Sequence, residues 1–366
     1  FDKYGKPKKI NFINLNYKVE DTLLGQHKHF MIKEINEQPK IISTILETQQ
    51  QNIKKATKLI RNSYGSYLIG CGSAYYACLV GTYFFSKIAK RHINAAVASE
   101  FSYLVDFLKE TSLVIPLSQS GETIDVISSV KKAKEKKAKI LSLTNVLGST
   151  LYRMSDEKLL LLAGPEKCVL ATKSFTAKLT FLYLLAHILN GTFNKGKKNL
   201  KKAVKEVEKI INERKKIKKL ASFLKEKKHI FILGRGVSYP VALESTLKIK
   251  ESSYIHAEGF PAGELKHGVI ALIEKETPVI VYNPQDETYN DTLSSAYEVS
   301  ARGAYVIGIS SKNNPVYNEF FKMENCSDAT AIPNVVFAQL LGYYLTLARG
   351  FDPDKPRNLA KSVTVK

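Results

Sequence analysis

The chain has 366 residues, 44% of them hydrophobic and 10% aromatic, and a formal net charge of +21. This length favours two domains, and the hydrophobic content excludes a mostly disordered chain. No apolar run is predicted to span a bilayer, so that no membrane partner is expected, and no signal peptide is recognised at the start. The four cysteines are scattered without a C-x-x-C pair: Cys71, Cys78, Cys168 and Cys326. Neither a disulfide framework nor a metal site is indicated, and a cytoplasmic location fits best.

The positive charge is concentrated in two lysine-rich segments with helical periodicity, 131–139 and 195–228. In the second segment Leu200, Val204 and Val207 share one face while lysines fill the others, which is typical of a solvated amphipathic helix. Nucleic-acid binding would require basic residues interleaved with aromatic ones or a known motif, so we expect no nucleic-acid partner. The basic field instead favours anionic substrates such as sugar phosphates.

The first elements in chain order are helical. Residues 1–28 lack sustained periodicity and are interpreted as an extended linker. A helix is predicted from His29, with Pro39 interrupting it before a second helix that carries Ile41 and Leu46. Next come a short apolar strand that begins at Ser66 and a Gly-x-Gly turn, Gly70-Cys71-Gly72, that lets the backbone approach a ligand closely.

Strands alternate with helices over the following hundred residues. Further strands are predicted over 95–99, 113–117, 139–143 and 158–162, and a long apolar helix over 175–189. This alternation predicts a parallel sheet covered on both faces by helices.

The sequence Ser118-Gln119-Ser120-Gly121-Glu122-Thr123 lies where the third predicted strand ends and a helix begins. Open α/β sheets bind ligands at the carboxyl ends of their strands, and a helix N-terminus offers unpaired N–H groups to an anion. A capped helix start with no ligand is the ordinary alternative. Three hydroxyl groups within six residues favour a phosphate site, which we call the phosphate cradle (118–123).

The pattern then repeats. Gly234-Arg235-Gly236 follows an apolar strand as Gly70-Cys71-Gly72 does, with further strands predicted over 277–282 and 304–309. This repetition predicts a duplicated domain. The second copy has Asn283-Pro284-Gln285-Asp286-Glu287 after its third strand, without the hydroxyl cluster, so only the first copy has a cradle of this kind.

Ionisable residues with a possible chemical role follow in the second copy. Glu244, Lys248 and Glu251 share one helix face. Either they form ordinary ion pairs on an exposed helix, or the apolar surroundings bury them and they serve a function. His267 lies in a glycine-flanked turn, either as an exposed loop histidine or as a group that titrates near neutral pH beside a substrate.

These residues resemble the isomerase half of the glutamine:fructose-6-phosphate amidotransferases, also called glucosamine-6-phosphate synthases. The matching stretches span nearly the whole chain, and the most specific are 263–268 and 357–365. The resemblance implies an α/β fold of two flavodoxin-like three-layer α/β/α sugar isomerase (SIS) domains with parallel sheets, N-terminal helices and an ordered C-terminal tail. It implies conversion of fructose 6-phosphate and ammonia to glucosamine 6-phosphate, without a metal or an organic cofactor.

The resemblance also implies roles for individual residues. Glu251 would move a proton between C1 and C2, His267 would open the ring from the partner subunit of a homodimer, and Lys361 would lie beside the carbonyl. Lys248 and Glu244 match a supporting pair. The residues that would contact the substrate are Gly72, Ser73, Ser118, Gln119, Ser120, Thr123, Val169, Ala171 and Ala360.

Two departures from the family pattern remove hydroxyl groups. Ala74 stands where the family usually has serine, and Leu170-Ala171-Thr172-Lys173 replaces Ala-Ser-Thr-Lys. Each lost contact would weaken sugar binding by about 1 kcal/mol, although backbone contacts at the second position could survive.

The implied domain organisation has five parts. Residues 1–28 would be a linker from a missing N-terminal glutaminase domain, and the first SIS domain would cover 29–195. A connecting lysine-rich helix over 196–227, a second SIS domain over 228–350 and a tail over 351–366 that closes the site would follow. Two alternatives are a related tandem-SIS deglycase or deaminase/isomerase, which need not keep Lys361, and a sugar-phosphate-sensing regulator, which would need a helix-turn-helix unit.

Overall fold

The computed structural model describes residues 19–365, and over this range the chain forms two parallel sheets with helices on both faces. The strands of the first sheet are β1 Ser66–Gly70, β2 Asn94–Val97, β3 Leu113–Ser118, β4 Lys139–Thr144 and β5 Glu157–Leu160. Those of the second sheet are β6 His229–Gly234, β7 His256–Pro261, β8 Pro278–Tyr282, β9 Tyr305–Ser310 and β10 Glu319–Lys322.

Twelve α-helices connect and cover the strands within the described residues. The helices before and within the first lobe are α1 Phe30–Thr48, α2 Gln50–Asn62, α3 Ser73–Lys87, α4 Ala98–Phe101, α5 Ile124–Glu135, α6 Thr150–Met154 and α7 Lys173–Leu189. The remaining helices are α8 Phe193–Asn212, α9 Lys215–Leu224, α10 Ser238–Ser253, α11 Tyr289–Ser300 and α12 Ala331–Ala348.

The two sheets have the same topology, which confirms the predicted duplication. The strand order is β2-β1-β3-β4-β5 in the first and β10-β9-β8-β6-β7 in the second, with every strand pair parallel. Counted within each lobe, both orders are 2-1-3-4-5, the flavodoxin-like arrangement. The central strands β3 and β8 are buried along their whole length because helices cover both faces. The predicted fold class is therefore confirmed.

The prediction that Pro39 ends the first helix was wrong. Helix α1 continues through Pro39, although proline supplies no N–H to the carbonyl group of Ile35 one turn earlier. The side-chain amide of Gln38 donates to that carbonyl at 3.1 Å instead, and so replaces the missing backbone hydrogen bond.

Other elements also differ from the sequence-based expectation. The lysine-rich segment forms two helices, α8 and α9, with a break at residues 213–214. Strands β7 and β10 were not predicted; β7 carries exposed His256 and Glu258 among apolar residues, which weakens its apolar signal. Of the predicted linker, residues 1–18 lie outside the described residues, and a short 3₁₀ turn, Val19–Thr22, begins the described part.

The helical stretch Ser327–Ala348, which includes α12, is long and apolar enough to cross a bilayer by composition alone. The sequence-based expectation that no apolar run is long enough to span a bilayer was therefore wrong with respect to length and composition. However, 83% of its apolar window is buried inside the protein, where α12 packs against α8, α9 and α10. A core helix of this kind has the same composition as a membrane span, so the stretch is weak evidence for one.

Candidate active site

The phosphate cradle forms the turn between β3 and α5, as predicted, and the strand order places this turn at the switch point of the first sheet. The hydroxyl Oγ of Ser118 lies 3.2 Å from Oγ1 of Thr123 and accepts the N–H of Gly121 at 3.0 Å. Oγ of Ser120 accepts the N–H of Glu122 at 3.1 Å. Hydroxyl groups and the N-terminal end of α5 are thus brought together at one edge of the sheet, an arrangement suited to an anion.

Gly121 is required by the shape of this turn. Its φ of +69° lies in the left-handed region, and a Cβ atom at this position would lie 2.1 Å from Oγ of Ser149. Because Ser149 is buried and its own hydroxyl accepts the N–H of Tyr152 at the start of α6, it has little room to move. Any other residue at position 121 would distort the cradle.

The C-terminal tail lies against the cradle. Ser362 donates through its hydroxyl to Oγ of Ser120 at 3.0 Å, and the carbonyl group of Val363 accepts the N–H of Ile124 at 3.1 Å. Farther back along the tail, Arg357 donates its N–H to the Tyr254 hydroxyl at 2.8 Å and its guanidinium lies 4.1 Å from the ring centroid. The tail therefore runs to the cradle from the C-terminal end of α10, the helix that carries Glu244, Lys248 and Glu251.

The first Gly-x-Gly turn places Ser73 at the start of α3 and at the contact between the lobes. Gly72 before it has φ +53° and ψ −129°, a conformation that favours glycine. Oγ of Ser73 donates to Oε1 of Glu244 at 3.0 Å and accepts from Nζ of Lys248 at 3.1 Å. Ser73 thus joins the first lobe to α10 of the second.

Of the two interpretations of the α10 charges, the buried one is correct for Glu244 and Lys248, which are both 0% exposed. Nζ of Lys248 lies 3.4 Å from Oε1 of Glu244 and 2.8 Å from Oε2 of Glu251, and it donates to the carbonyl group of Ala171 at 3.3 Å. The Glu251 side chain is 23% exposed, so its carboxylate is fixed by Lys248 and still accessible. A buried ammonium thus holds an accessible carboxylate in one position.

The electrostatics of this pair follow from burial and from the charges nearby. Burial raises the pKa of Glu244 to about 7, although Lys248 opposes the shift. Burial alone would lower the pKa of Lys248, but the two carboxylates, Glu244 and Glu251, outweigh it and raise that pKa. Lys248 therefore stays a cation.

Lys361 of the tail is paired with a carboxylate that sequence reasoning missed. Its Nζ donates to Oε2 of Glu166 at 2.7 Å and to the carbonyl group of Cys168 at 2.8 Å. Glu166 also accepts the N–H groups of Thr172 and Ser174, each at 3.0 Å, and the Ser174 hydroxyl at 2.9 Å. The available signal was a single glutamate that follows the apolar run 159–163 after Gly164-Pro165.

Burial opposes ionisation of Glu166, but Lys361, the N–H of Ser174 and Lys178 together lower its pKa to about 2. Lys178, on the next turn of α7, is also buried and was not predicted as a site residue. Burial lowers its pKa to about 8, with the Lys361 charge acting in the same direction and Glu166 against it. The region beneath the tail therefore has one firmly ionised carboxylate and two nearby amines.

The other predicted site residues lie near the cradle and the tail, with the exception of His267. Gln119 and Val169 are partly exposed there, Ala171 contributes its carbonyl group to Lys248, and Ala360 lies exposed on the tail. His267 is exposed at the end of a 3₁₀ turn, and within residues 19–365 no hydrogen bond or ion pair joins it to another predicted site residue. The chain by itself therefore assembles the site without His267.

The two departures in sequence have different structural settings. Ala74 is nearly buried at the start of α3, beside Ser73. Leu170 is buried in the hydrophobic core of the first lobe. The side chain of Leu170 therefore contributes packing, while the neighbouring Ala171 contributes a backbone group.

Comparison with known proteins places these features in a family. The SIS domain model matches residues 59–188 and 223–349. A glutamine–fructose-6-phosphate aminotransferase (isomerizing) from Clostridium tetani is 39% identical over 387 residues, which include all of this chain and 64% of the relative. The chain thus spans slightly less than two thirds of the length of that relative.

Solved structures agree with this placement. The C-terminal domain of the glucosamine-fructose-6-phosphate aminotransferase from Francisella tularensis aligns with a TM-score of 0.82 and 32% identity, over 90% of this chain and 99% of that one. A glucosamine-6-phosphate deaminase from Thermotoga maritima aligns with a TM-score of 0.72 and 25% identity, over 91% and 99% of the two chains.

Proposed function

The chain belongs to the SIS domain family, and we propose that it is the sugar-isomerising part of a glutamine–fructose-6-phosphate aminotransferase. The proposed reaction converts fructose 6-phosphate and ammonia to glucosamine 6-phosphate. The observation that carries the proposal is the buried Glu244–Lys248 pair, which holds the accessible Glu251 carboxylate and binds Ser73 of the first lobe. The first lobe also carries the phosphate cradle, so an anion anchor and a fixed base belong to one assembly.

In the proposed mechanism the cradle binds the phosphate group through the Ser118, Ser120 and Thr123 hydroxyls and the N-terminus of α5. Glu251 removes a proton from one of the two carbons C1 and C2 and returns it to the other, which is the step of aldose–ketose isomerisation. The Lys248 ammonium keeps this carboxylate in place. Lys361, which Glu166 holds at 2.7 Å, supplies positive charge near the oxygen that becomes negative during proton transfer.

Binding of the phosphate requires a change in the contacts of the tail. The Val363 carbonyl group already accepts the Ile124 N–H, whereas Oγ of Ser120 accepts from Ser362 and keeps its own hydroxyl proton for a phosphate oxygen. We expect the phosphate oxygens to replace or share the contact of Val363 with Ile124, since they are stronger hydrogen-bond acceptors than a carbonyl group. The tail then remains over the sugar through Lys361.

The test is conversion of fructose 6-phosphate to glucose 6-phosphate, with exchange of the C1 proton for deuterium from solvent. We expect Glu251→Gln to lower the exchange rate by about 10²–10⁴-fold, because a positioned general base contributes a factor of this size. Glu226→Gln, which changes a carboxylate that is 85% exposed, is the matched control and should leave the rate unchanged. Sugar binding without C1 exchange in the unmodified chain would rule out the catalytic assignment.

The resemblance to the Thermotoga maritima deaminase supports a second candidate, an amino-sugar-phosphate deaminase/isomerase. The tail favours the first candidate because Lys361, Ser362 and Val363 all contact the first lobe. Incubation with glucosamine 6-phosphate distinguishes them: rapid release of ammonia would support the deaminase.

The partners and the location are part of the same proposal. We propose that ammonia comes from a glutaminase domain, since the relatives are longer than this chain. We also propose a homodimer in which the partner subunit supplies His267, because within residues 19–365 His267 is exposed and forms no hydrogen bond or ion pair with Glu251. A cytoplasmic location is consistent with four cysteines that are all free.

A further inference from the structure

The start of α1 is capped by a residue from the far end of the chain. A helix start leaves N–H groups without partners, and the side chain of His29 does not supply an acceptor. The N–H of Phe30 donates to Oδ2 of Asp354 and the N–H of Met31 donates to Oδ1, both at 2.7 Å. Each carboxylate oxygen thus serves one N–H at the positive end of the helix dipole.

The same residue also holds the loop that lines the proposed sugar site. The carbonyl group of Asp354 accepts the N–H of Val169 at 3.3 Å, and that of Pro353 accepts from Sγ of Cys168 at 3.4 Å. Asp354 therefore joins the start of α1, the loop 166–172 and the tail.

Helix α1 holds the preceding two residues of the loop. Oε1 of Glu34 accepts the N–H of Lys167 at 2.5 Å and the N–H of Cys168 at 3.1 Å. Together with the contact of Asp354 to Val169, three successive N–H groups of the loop have acceptors on α1 or the tail. We call Phe30, Met31, Glu34 and Asp354 the α1–tail clamp.

The loop that the clamp holds is hydrogen-bonded to two proposed catalytic residues, Lys361 and Lys248. The carbonyl group of Cys168, whose N–H is held by Glu34, accepts from Nζ of Lys361 at 2.8 Å. Two residues after Val169, the carbonyl group of Ala171 accepts from Nζ of Lys248 at 3.3 Å. A displacement of the loop would therefore move the acceptors of both lysines.

We propose that Asp354 is a positioning residue that fixes the loop 166–172 and the tail by capping α1. Its role in substrate binding rests on the proposed function, whereas its role in ordering the loop and the tail does not. The residue does not touch the reacting atoms; it acts through Val169 and, by way of the loop, Lys361. Without the cap, the tail loses its attachment to the start of α1 and the loop keeps only its Glu34 contacts to that helix, so the sugar binds to a less ordered site.

The experiment compares Asp354→Asn with Asp286→Asn in the full chain. Asparagine replaces one of the two acceptor oxygens by an NH₂ group, so one N–H of α1 loses its partner. Asp286 is the matched control because its Oδ1 accepts the N–H of Thr288 at 2.8 Å directly before α11, in the second lobe. Both variants lose a carboxylate at a helix start, but only Asp354→Asn affects the loop.

Hydrogen–deuterium exchange is the readout that is independent of activity. For Asp354→Asn we expect faster exchange in peptides covering 166–172 and 355–365, with the peptides of β6–β8 unchanged. We further expect KM for fructose 6-phosphate to rise about tenfold, the equivalent of about 1.4 kcal/mol, with a smaller change in kcat. Asp354→Glu, which keeps the carboxylate, should recover part of the loss in KM.

Two outcomes would overturn the proposal. One is exchange in the loop and the tail that matches the unmodified chain, and the other is an equal rise of KM in Asp286→Asn. If the unmodified chain does not isomerise fructose 6-phosphate at all, the proposed function fails. Hydrogen–deuterium exchange still tests the role of Asp354 in ordering the loop and the tail, because this measurement needs no substrate. Faster exchange in Asp354→Asn supports that role, and unchanged exchange overturns it.

Discussion

Glu34 and Glu166 are buried carboxyl groups at the loop 166–172, and their pKa values are shifted in opposite directions. Burial, followed by the negative charge of Glu166, raises the pKa of Glu34 to about 8, although two N–H donors and Lys173 oppose the shift. Glu166 remains ionised because Lys361 pairs with it directly. The difference arises because Lys361 lies on Glu166, whereas Oε2 of Glu34 has no hydrogen-bond partner among the described residues. The region below the loop 166–172 thus contains a carboxylate paired with Lys361 and a carboxyl group that keeps its proton.

This difference predicts a pH dependence of stability. With a folded pKa of about 8 and an ordinary value of 4.5, Glu34 keeps in the folded state a proton that the unfolded chain releases. Its contribution is therefore complete below pH 4.5 and is lost as pH rises through 8. Glu34→Gln imitates the protonated form and removes this loss. From pH 5 to 8 we expect the free energy of unfolding of the variant to rise relative to that of the unmodified chain, by at most about 1.4 kcal/mol per pH unit.

Urea unfolding at pH 5, 6.5 and 8 measures the effect, with the exposed Glu226→Gln as the control that should parallel the unmodified chain. If Glu34→Gln also follows a parallel curve, the carboxyl group of Glu34 is ionised in the folded state throughout this range.

At the scale of elements, α1 shows how a side chain can preserve a helix through proline. Gln38 is fully buried and donates both to the carbonyl group of Ile35 and, at 2.8 Å, to Oε1 of Gln339 in α12. Gln339 in turn donates to the carbonyl group of Thr172 at 3.2 Å, directly before α7. Helix α1 is therefore attached to both lobes through one pair of amide side chains, whose mutual hydrogen bond joins residues 301 positions apart. Local propensity at Pro39 could not reveal these contacts.

Gln38→Ala is expected to destabilise the protein by about 1–3 kcal/mol, because it leaves the carbonyl group of Ile35 buried without a donor. In a Pro39→Ala background the restored backbone N–H at position 39 can reach that carbonyl, so the same substitution should cost less. Urea unfolding of the two single variants and the double variant gives the coupling free energy. Additive effects would show that Gln38 does not replace the proline hydrogen bond.

At the scale of the whole molecule, the site is formed by residues from both lobes and from the tail. Ser73 of the first lobe contacts Glu244 and Lys248 of the second, and the tail contacts the cradle through Ser362. The net charge of +21 would add a long-range attraction for the proposed sugar phosphate. Within residues 19–365, His267 is exposed at the end of a 3₁₀ turn and makes no hydrogen bond or ion pair with Glu244, Lys248, Glu251 or Lys361. A second copy of the chain is therefore the proposed source of this histidine.

Mixing of subunits tests this arrangement. His267→Ala and Glu251→Ala, each inactive, should regain activity when unfolded or dissociated, mixed and reassembled, because one site of each mixed dimer then has both residues. With random pairing of equal amounts, about a quarter of the sites would be intact. Mixing His267→Ala with the double variant is the control and should give no recovery. Absence of recovery in the first mixture as well would contradict a shared site.

The sequence alone determined the local features: the two repeated lobes, the cradle at 118–123 and the shared helix face of Glu244, Lys248 and Glu251. These follow from periodicity and turn chemistry, which depend on neighbouring residues. Only the tertiary structure decided that Glu244 and Lys248 are buried, since that depends on α3 and α12 packing against α10. It also revealed the pairing of Glu166 with Lys361 and the capping of α1 by Asp354, because these partners lie far apart along the chain and hydrogen bonds between such distant residues leave no periodic pattern in the sequence.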